Sequence, residues 1–192
     1  MKRSLGDKKI STAVFISGRG SNLKSLINFS KKRKSPIHIK LIVSNTKKAI
    51  GLKYANINKI QKKTINFKKK FQAEARILNI LNNKKINFIC LAGFMKILSK
   101  NFIKKFKGKI VNIHPSLLPK YKGLNTYKRA LKNKDKFAGC TVHYVTAKLD
   151  SGKIILQKKV KIRKKDTANS LKKKILEKEH QLYPSAIRKI FS

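Results

Sequence analysis

Asn112, His114 and Asp150 are the residues of this chain whose types and spacing could do chemistry. Asn112 and His114 stand two apart at the end of an apolar run, Lys109-Ile-Val-Asn-Ile-His114. On a strand, residues of equal parity leave the same face, so both side chains project together. An amide N–H beside an imidazole N–H suits an oxygen that gains negative charge in a tetrahedral intermediate. Asp150 is one of only seven acidic residues, and a carboxylate is the usual group for orienting a histidine or taking up a proton. Asp150-Ser-Gly152 is also good turn chemistry, so these residues alone leave both readings open. Pro115 and Pro119, in His114-Pro-Ser-Leu-Leu-Pro119, bar regular structure and stiffen a loop behind the strand. Such loops, at the C-terminal ends of parallel strands, are where α/β folds place ligands. His143, on a following apolar run, reads as support for this cluster.

A second candidate is Gly18-Arg-Gly-Ser-Asn22. It sits where an apolar run, Thr12-Ala-Val-Phe-Ile-Ser17, gives way to Leu23, Leu26 and Ile27 at helical spacing, with Asn22 as the expected N-cap. Glycines there admit close backbone approach, and the free N–H groups of a helix start attract anions. No Gly-Lys-Ser/Thr follows and a third glycine is missing, so neither a Walker loop nor a full dinucleotide fingerprint is present. A single phosphate monoester is the favoured ligand, with a plain tight turn the competing reading.

The elements that must position these residues follow from periodicity. Strands are expected at 12–17, 37–43, 87–92, 110–113, 141–145 and 153–160. Helices are expected after residue 22, over 49–58, over 68–82 through Phe71, Ala75, Leu78 and Leu81, and over 167–190 with an interruption at Pro184. Alternating strands and helices imply an α/β fold: a single Rossmann-like layered domain with a mostly parallel central sheet. Residues 1–10 read as a basic, disordered extension and 11–192 as the one domain. Glu179 and His180 fall on the last helix, where an exposed face is one reading.

Composition bounds the function classes. The 192 residues carry 50 Lys and Arg against seven acids, a formal net charge of +43. Such a balance suits polyanions, yet the lysines are scattered over every segment and arginine, the planar fork that reads bases and phosphates, is scarce. Abundant Lys, Ile and Asn point to A/T-rich codon drift, and no specific nucleic-acid partner is expected. No apolar run is long enough to span a membrane, the N-terminus lacks the apolar core of a signal peptide, and Cys90 and Cys140 are isolated free thiols. A cytoplasmic enzyme without a metal site is expected, since no His, Cys and acid spacing suits zinc.

Four ordered motifs make the chain resemble the phosphoribosylglycinamide formyltransferase family, folate-dependent enzymes of purine synthesis. They are Ile16-Ser-Gly-Arg-Gly-Ser-Asn-Leu23, Leu91-Ala-Gly-Phe-Met-Lys-Ile-Leu-Ser99, Val111-Asn-Ile-His-Pro-Ser-Leu-Leu-Pro-Lys-Tyr121 and Gly139 to Gly152, extended by Glu179-His-Gln-Leu-Tyr-Pro184. The likeness runs from about residue 11 to 188. The resemblance implies the formyltransferase fold, a monomer or homodimer, and transfer of a formyl group from the co-substrate 10-formyltetrahydrofolate to the amine of glycinamide ribonucleotide. It places Asn112, His114 and Asp150 at the catalytic positions and Gly20, Ser21 and Asn22 around the phosphate. Lys70, Met95, Lys96, Ile97 and Leu98, together with Thr146, Ala147, Lys148 and Leu149, line the folate side, and Glu179 meets the ribonucleotide. Thr141 and His143 fall beside the site. Lys96 departs from a common arginine, Ala147 from an acidic or larger residue, and Leu176 from a position that is often polar.

Related readings are a methionyl-tRNA formyltransferase, which shares Asn-x-His and Ser-Leu-Leu-Pro but is expected to need a tRNA-binding domain, and a formyltetrahydrofolate deformylase, which would need a regulatory domain. From another class, a non-catalytic basic RNA-binding relative would bind polyanions with steep salt dependence. The intact trio argues against it.

Overall fold

The computed structural model describes residues 9–192. Its sheet has seven strands, β1 (Ile10–Ile16), β2 (Ile37–Ser44), β3 (Gln61–Thr64), β4 (Phe88–Leu91), β5 (Lys109–His114), β6 (Phe137–Tyr144) and β7 (Ile154–Lys161), in the order β3-β2-β1-β4-β5-β6-β7. The first five strands in that order run parallel; β6 and β7 are antiparallel to their neighbours. Helices α1 (Ser21–Ser30), α2 (Leu52–Ile57), α3 (Lys70–Asn83), α4 (Lys100–Lys105), α5 (Thr126–Lys132) and α6 (Ala168–Phe191) complete the fold. This is the layered α/β domain expected from the alternation of patterns. β1 opens at Ile10, one residue inside the stretch read as an extension; residues 1–8 lie outside the described residues.

The central strands are apolar at consecutive positions because both faces are covered. Val14, Ile16, Phe88, Cys90, Val111 and Ile113 belong to one cluster, which also includes side chains from α1 and α6. Ala13, Phe15, Ile89, Leu91 and Ile110 belong to the other, with side chains from α3 and α4. Asn112 and His114 share the parity of Ile110, so they leave the sheet on the α3 side where β5 ends.

Three local expectations change. The N-cap of α1 is Gly20, not Asn22, in the left-handed conformation at φ 75°. A Cβ there would lie 2.6 Å from Gly51 Cα, so the close approach of the two backbones requires glycine. The buried stripe of α3 is Ala73, Glu74, Ile77 and Leu81, while Phe71 is 70% exposed and Ala75 also faces solvent. Helix α6 continues through Pro184. Proline has no N–H to give to the carbonyl four residues back, and that carbonyl, of His180, instead accepts from Ser25 Oγ at 2.9 Å. Strand β3, α4 and α5 carry too little apolar pattern to be anticipated; β3 reads Gln-Lys-Lys-Thr.

Candidate active site

Pairing of β5 with β6 builds the cluster. The antiparallel register sets Asn112 opposite His143 and His114 opposite Thr141, so the expected same-face pair gains two partners across the strand. Thr141 is buried; its hydroxyl donates to the Ser116 carbonyl (2.6 Å) and accepts from Leu118 N–H (3.1 Å) and Gln157 Nε2 (2.9 Å). Gln157 also donates to the Leu118 carbonyl at 2.8 Å. These bonds pin the proline loop behind His114, a role for Gln157 that no local pattern announced.

Asp150, from the loop between β6 and β7, reaches into this cluster in the left-handed conformation at φ 45°. Its side chain is 7% exposed and lies 3.3 Å from His114 Nδ1 and 3.6 Å from His143 Nε2. Asn112 Nδ2 stands 3.5 Å from the same carboxylate and 3.3 Å from His143 Nε2, while Gly123 N–H donates to Asp150 Oδ2 at 2.9 Å. Asp150 is therefore more than a turn residue. The trio expected from sequence comes together, and His143 joins it.

Ring nitrogens facing carbonyls settle where protons sit. His114 Nε2 meets the Tyr121 carbonyl at 2.8 Å, and His143 Nδ1 meets the Tyr144 carbonyl at 2.8 Å. A carbonyl only accepts, so each of these nitrogens carries hydrogen. That leaves His114 Nδ1 and His143 Nε2 turned toward Asp150. Burial pushes His114 below its ordinary range, against the opposing pull of the Tyr121 carbonyl and the Asp150 charge. Burial would raise Asp150, but the contact with His143, the Gly123 N–H and the nearby imidazoles hold its carboxyl below the usual value. At neutral pH the site thus holds a carboxylate beside an unprotonated His114, a base pair ready for one proton.

The glycine turn Gly18–Asn22 leads into the start of α1. Asn22 is N2 of the helix and 8% exposed; its Nδ2 donates to Glu179 Oε2 at 2.6 Å, while its Oδ1 is buried without a protein partner. Glu179 is 4% exposed rather than on an open helical face, and burial pushes its carboxyl up to about 7. One helical turn later Tyr183 donates from its hydroxyl toward the Leu91 and Val111 carbonyls at 3.0 and 3.1 Å. This anchor fixes α6 so that Glu179 meets Asn22 at the start of α1.

The segment after β4 is tied at both ends. Met95 N–H donates to Ser17 Oγ at 2.7 Å, and Ser99 donates its N–H (2.8 Å) and its hydroxyl to the buried carboxylate of Glu74. Met95 and Ile97 are 63% and 58% exposed apolar side chains, with Lys96 exposed between them. Leu98, the next residue, is 4% exposed, and its side chain packs in the core cluster beside α3. Thr146, Ala147, Lys148 and Leu149 form an exposed loop leading to Asp150. Lys70, the first residue of α3, is half-buried and makes no hydrogen bond to any of these residues.

A cavity of about 710 Å³ between α1 and α6 touches this site only at Ser21. It is lined by Lys24, Lys32 and Arg188 with no acid, a basic share that the overall composition already accounts for. The polar cluster of Asn112, His114, His143 and Asp150 lies elsewhere, around the end of β5. No helix among the described residues is long and apolar enough to cross a membrane.

Comparisons with known proteins fall in line with this geometry. The family model described as formyl transferase matches residues 10–187. A phosphoribosylglycinamide formyltransferase of Haemophilus influenzae is 41% identical over 94% of this chain and 86% of its own length. The trifunctional purine biosynthetic protein adenosine-3 of Gallus gallus is 41% identical over 96% of this chain, which spans only 19% of that relative. The crystal structure of phosphoribosylglycinamide formyltransferase from Brucella melitensis superposes with a TM-score of 0.91 at 41% identity, covering 95% of this chain and 96% of the other.

Proposed function

The chain belongs to the formyl transferase family, and on that premise we propose that it moves the formyl group of 10-formyltetrahydrofolate onto the amine of phosphoribosylglycinamide, a step of purine synthesis. The observation that carries the reading is the buried Asp150 carboxylate held between His114, His143 and Asn112. A formyl transfer needs an acceptor for the amine's proton and donors for the carbonyl oxygen, and this cluster offers both.

In the proposed mechanism the phosphate sits on the N–H groups of Gly20, Ser21 and Asn22 at the start of α1. The Asn22 carbonyl oxygen and the Glu179 carboxyl face the ribonucleotide's hydroxyl and amine donors. The donor's pterin lies against Met95, Lys96 and Ile97 and the loop Thr146–Leu149. Leu98 contributes through its backbone, and Lys70 meets the donor's outer, acidic end. Holding the two substrates together removes much of the entropic barrier.

The neutral amine attacks the formyl carbon directly. As the C=O bond opens, one Asn112 amide hydrogen, the one not turned to His143 and Asp150, donates to the new oxyanion; such a donor is worth about 3–4 kcal/mol. The attacking nitrogen, now an ammonium, passes its proton to the Asp150–His114 pair through a water. His114 becomes an imidazolium whose charge, beside the oxyanion, stabilises it in turn. That proton then goes to the departing N10 as the C–N10 bond breaks, leaving tetrahydrofolate and the formylated amide. Atoms and charges balance without a covalent enzyme intermediate, and the scheme draws on no metal.

A methionyl-tRNA acceptor is the competing reading. The relatives' names favour the small ribonucleotide, as does a phosphate turn built for one monoester. Incubating the purified protein and donor with phosphoribosylglycinamide or with initiator tRNA distinguishes them. Formylation of the ribonucleotide alone is expected; formylation of the tRNA alone rejects the proposal.

A further inference from the structure

His114 and Asp150 are both held by one short strap, Tyr121–Asn125, that joins the proline loop to α5. The Tyr121 carbonyl takes His114 Nε2–H at 2.8 Å, and Gly123 N–H caps Asp150 at 2.9 Å. The strap has an uncomfortable backbone: Tyr121 and Asn125 lie at φ 55° and 59°, the left-handed region that costs an ordinary residue stability. Something must hold it. The Tyr121 hydroxyl donates to Asp135 and accepts from Asn133, both just past α5. The more telling contact is Arg129. Its Nη1 donates to the Lys122 carbonyl at 2.7 Å and approaches the Leu124 carbonyl at 3.5 Å, and its guanidinium lies 5.0 Å above the Tyr121 ring.

We infer that Arg129 is a positioning residue for the transfer: by gripping the strap it fixes the tautomer of His114 and the rotamer of Asp150 without touching either substrate. The inference rests on the function proposed above. A guanidinium suits the task because its planar head reaches the Lys122 and Leu124 carbonyls through Nη1 while its face covers the Tyr121 ring, which a lysine cannot reproduce. The charge works in the same direction. The groups facing His114 are Asp150, His143, Arg129 and the Tyr121 carbonyl, and the positive charge of Arg129 adds to the forces holding the free imidazole unprotonated and able to take a proton.

The test separates grip from charge. Arg129→Gln is expected to lower kcat about tenfold, the worth of a charge-assisted hydrogen bond, with KM for both substrates within about twofold of the parent. The acid limb of kcat moves to higher pH, and nitrogen NMR of His114 shows loss of the single Nε2–H tautomer. Arg129→Lys, keeping charge without the fork, returns the acid limb toward the parent position but leaves kcat depressed. An unchanged kcat and pH profile in Arg129→Gln overturns the inference. So does a loss of activity that follows a lowered Tm with the pH limb in place, which is the mark of a merely structural residue. If the parent protein fails to formylate the ribonucleotide, the proposed function falls, but the His114 NMR titration still decides the strap. An unchanged tautomer and titration in Arg129→Gln would then sink it.

Discussion

Replacing Asp150 by asparagine removes one negative charge and almost no volume, so its cost can be worked from the geometry. The amide oxygen of asparagine can still accept from Gly123 N–H, now 2.9 Å from the carboxylate, and the fold should persist. The Coulombic attraction between the carboxylate and the imidazolium that forms during transfer disappears. At 3.3 Å, with an effective dielectric constant of about 20, that attraction is about 5 kcal/mol. Both side chains are 7% exposed, so water does little to screen it. His114 also loses the charge that pulls its pKa upward and becomes a poorer proton acceptor. Together these place kcat for Asp150→Asn between about 10³- and 10⁴-fold below the parent, with both KM values little changed because neither substrate is held by Asp150. Steady-state formyl transfer, monitored as tetrahydrofolate release, measures this directly, with thermal melting as a control for folding. A folded Asp150→Asn protein whose kcat stays within tenfold of the parent would refute the proton-acceptor role and the electrostatic reasoning behind it.

Two further outcomes follow from groups outside the trio. Glu179 has a carboxyl raised from 4.5 to about 7 by burial; a raised acid contributes stability that is complete below its unfolded pKa and is lost as pH climbs through the folded value. Glu179→Gln should therefore match the parent near pH 4.5 and exceed it by about 3 kcal/mol above pH 8, read by urea unfolding, while weakening the KM for the ribonucleotide; an equal stability difference at both pH values contradicts the burial argument. With a formal charge of +43 and two anionic substrates, kcat/KM should fall at least about tenfold between low and 0.5 M salt while kcat barely moves, and a flat salt profile would show that the surface charge plays no part in encounter.

Much of the site was legible in sequence because it depends on strand parity and loop chemistry. Asn112 and His114 share a face on any strand, and two prolines force a loop wherever they occur. What stayed hidden depends on partners distant in the chain. His143 stands opposite Asn112 only because β6 runs antiparallel to β5, a switch of direction that no local pattern encodes. Glu179 is spaced like a surface helical residue, and only the packing of α6 on α1 turns it onto Asn22. The face of α3 was misjudged because Phe71 reads as core, whereas the buried position is taken by Glu74, whose carboxylate is satisfied by Ser99. Leu98 directly follows the exposed Met95, Lys96 and Ile97, and only the turn after β4 sends its side chain into the core. Short elements such as β3 and α5 lack enough residues to show a period. The strap and Arg129 were invisible for the same reason, since their bonds run through backbone carbonyls.

The most direct measurement is a rapid-quench single turnover with the formyl carbon of the donor labelled and phosphoribosylglycinamide as acceptor. Label should pass to the acceptor at the rate at which tetrahydrofolate appears, with none carried on the protein at any time. Label accumulating on the protein, or tetrahydrofolate released with the label left in free formate, would contradict direct transfer at Asn112, His114 and Asp150.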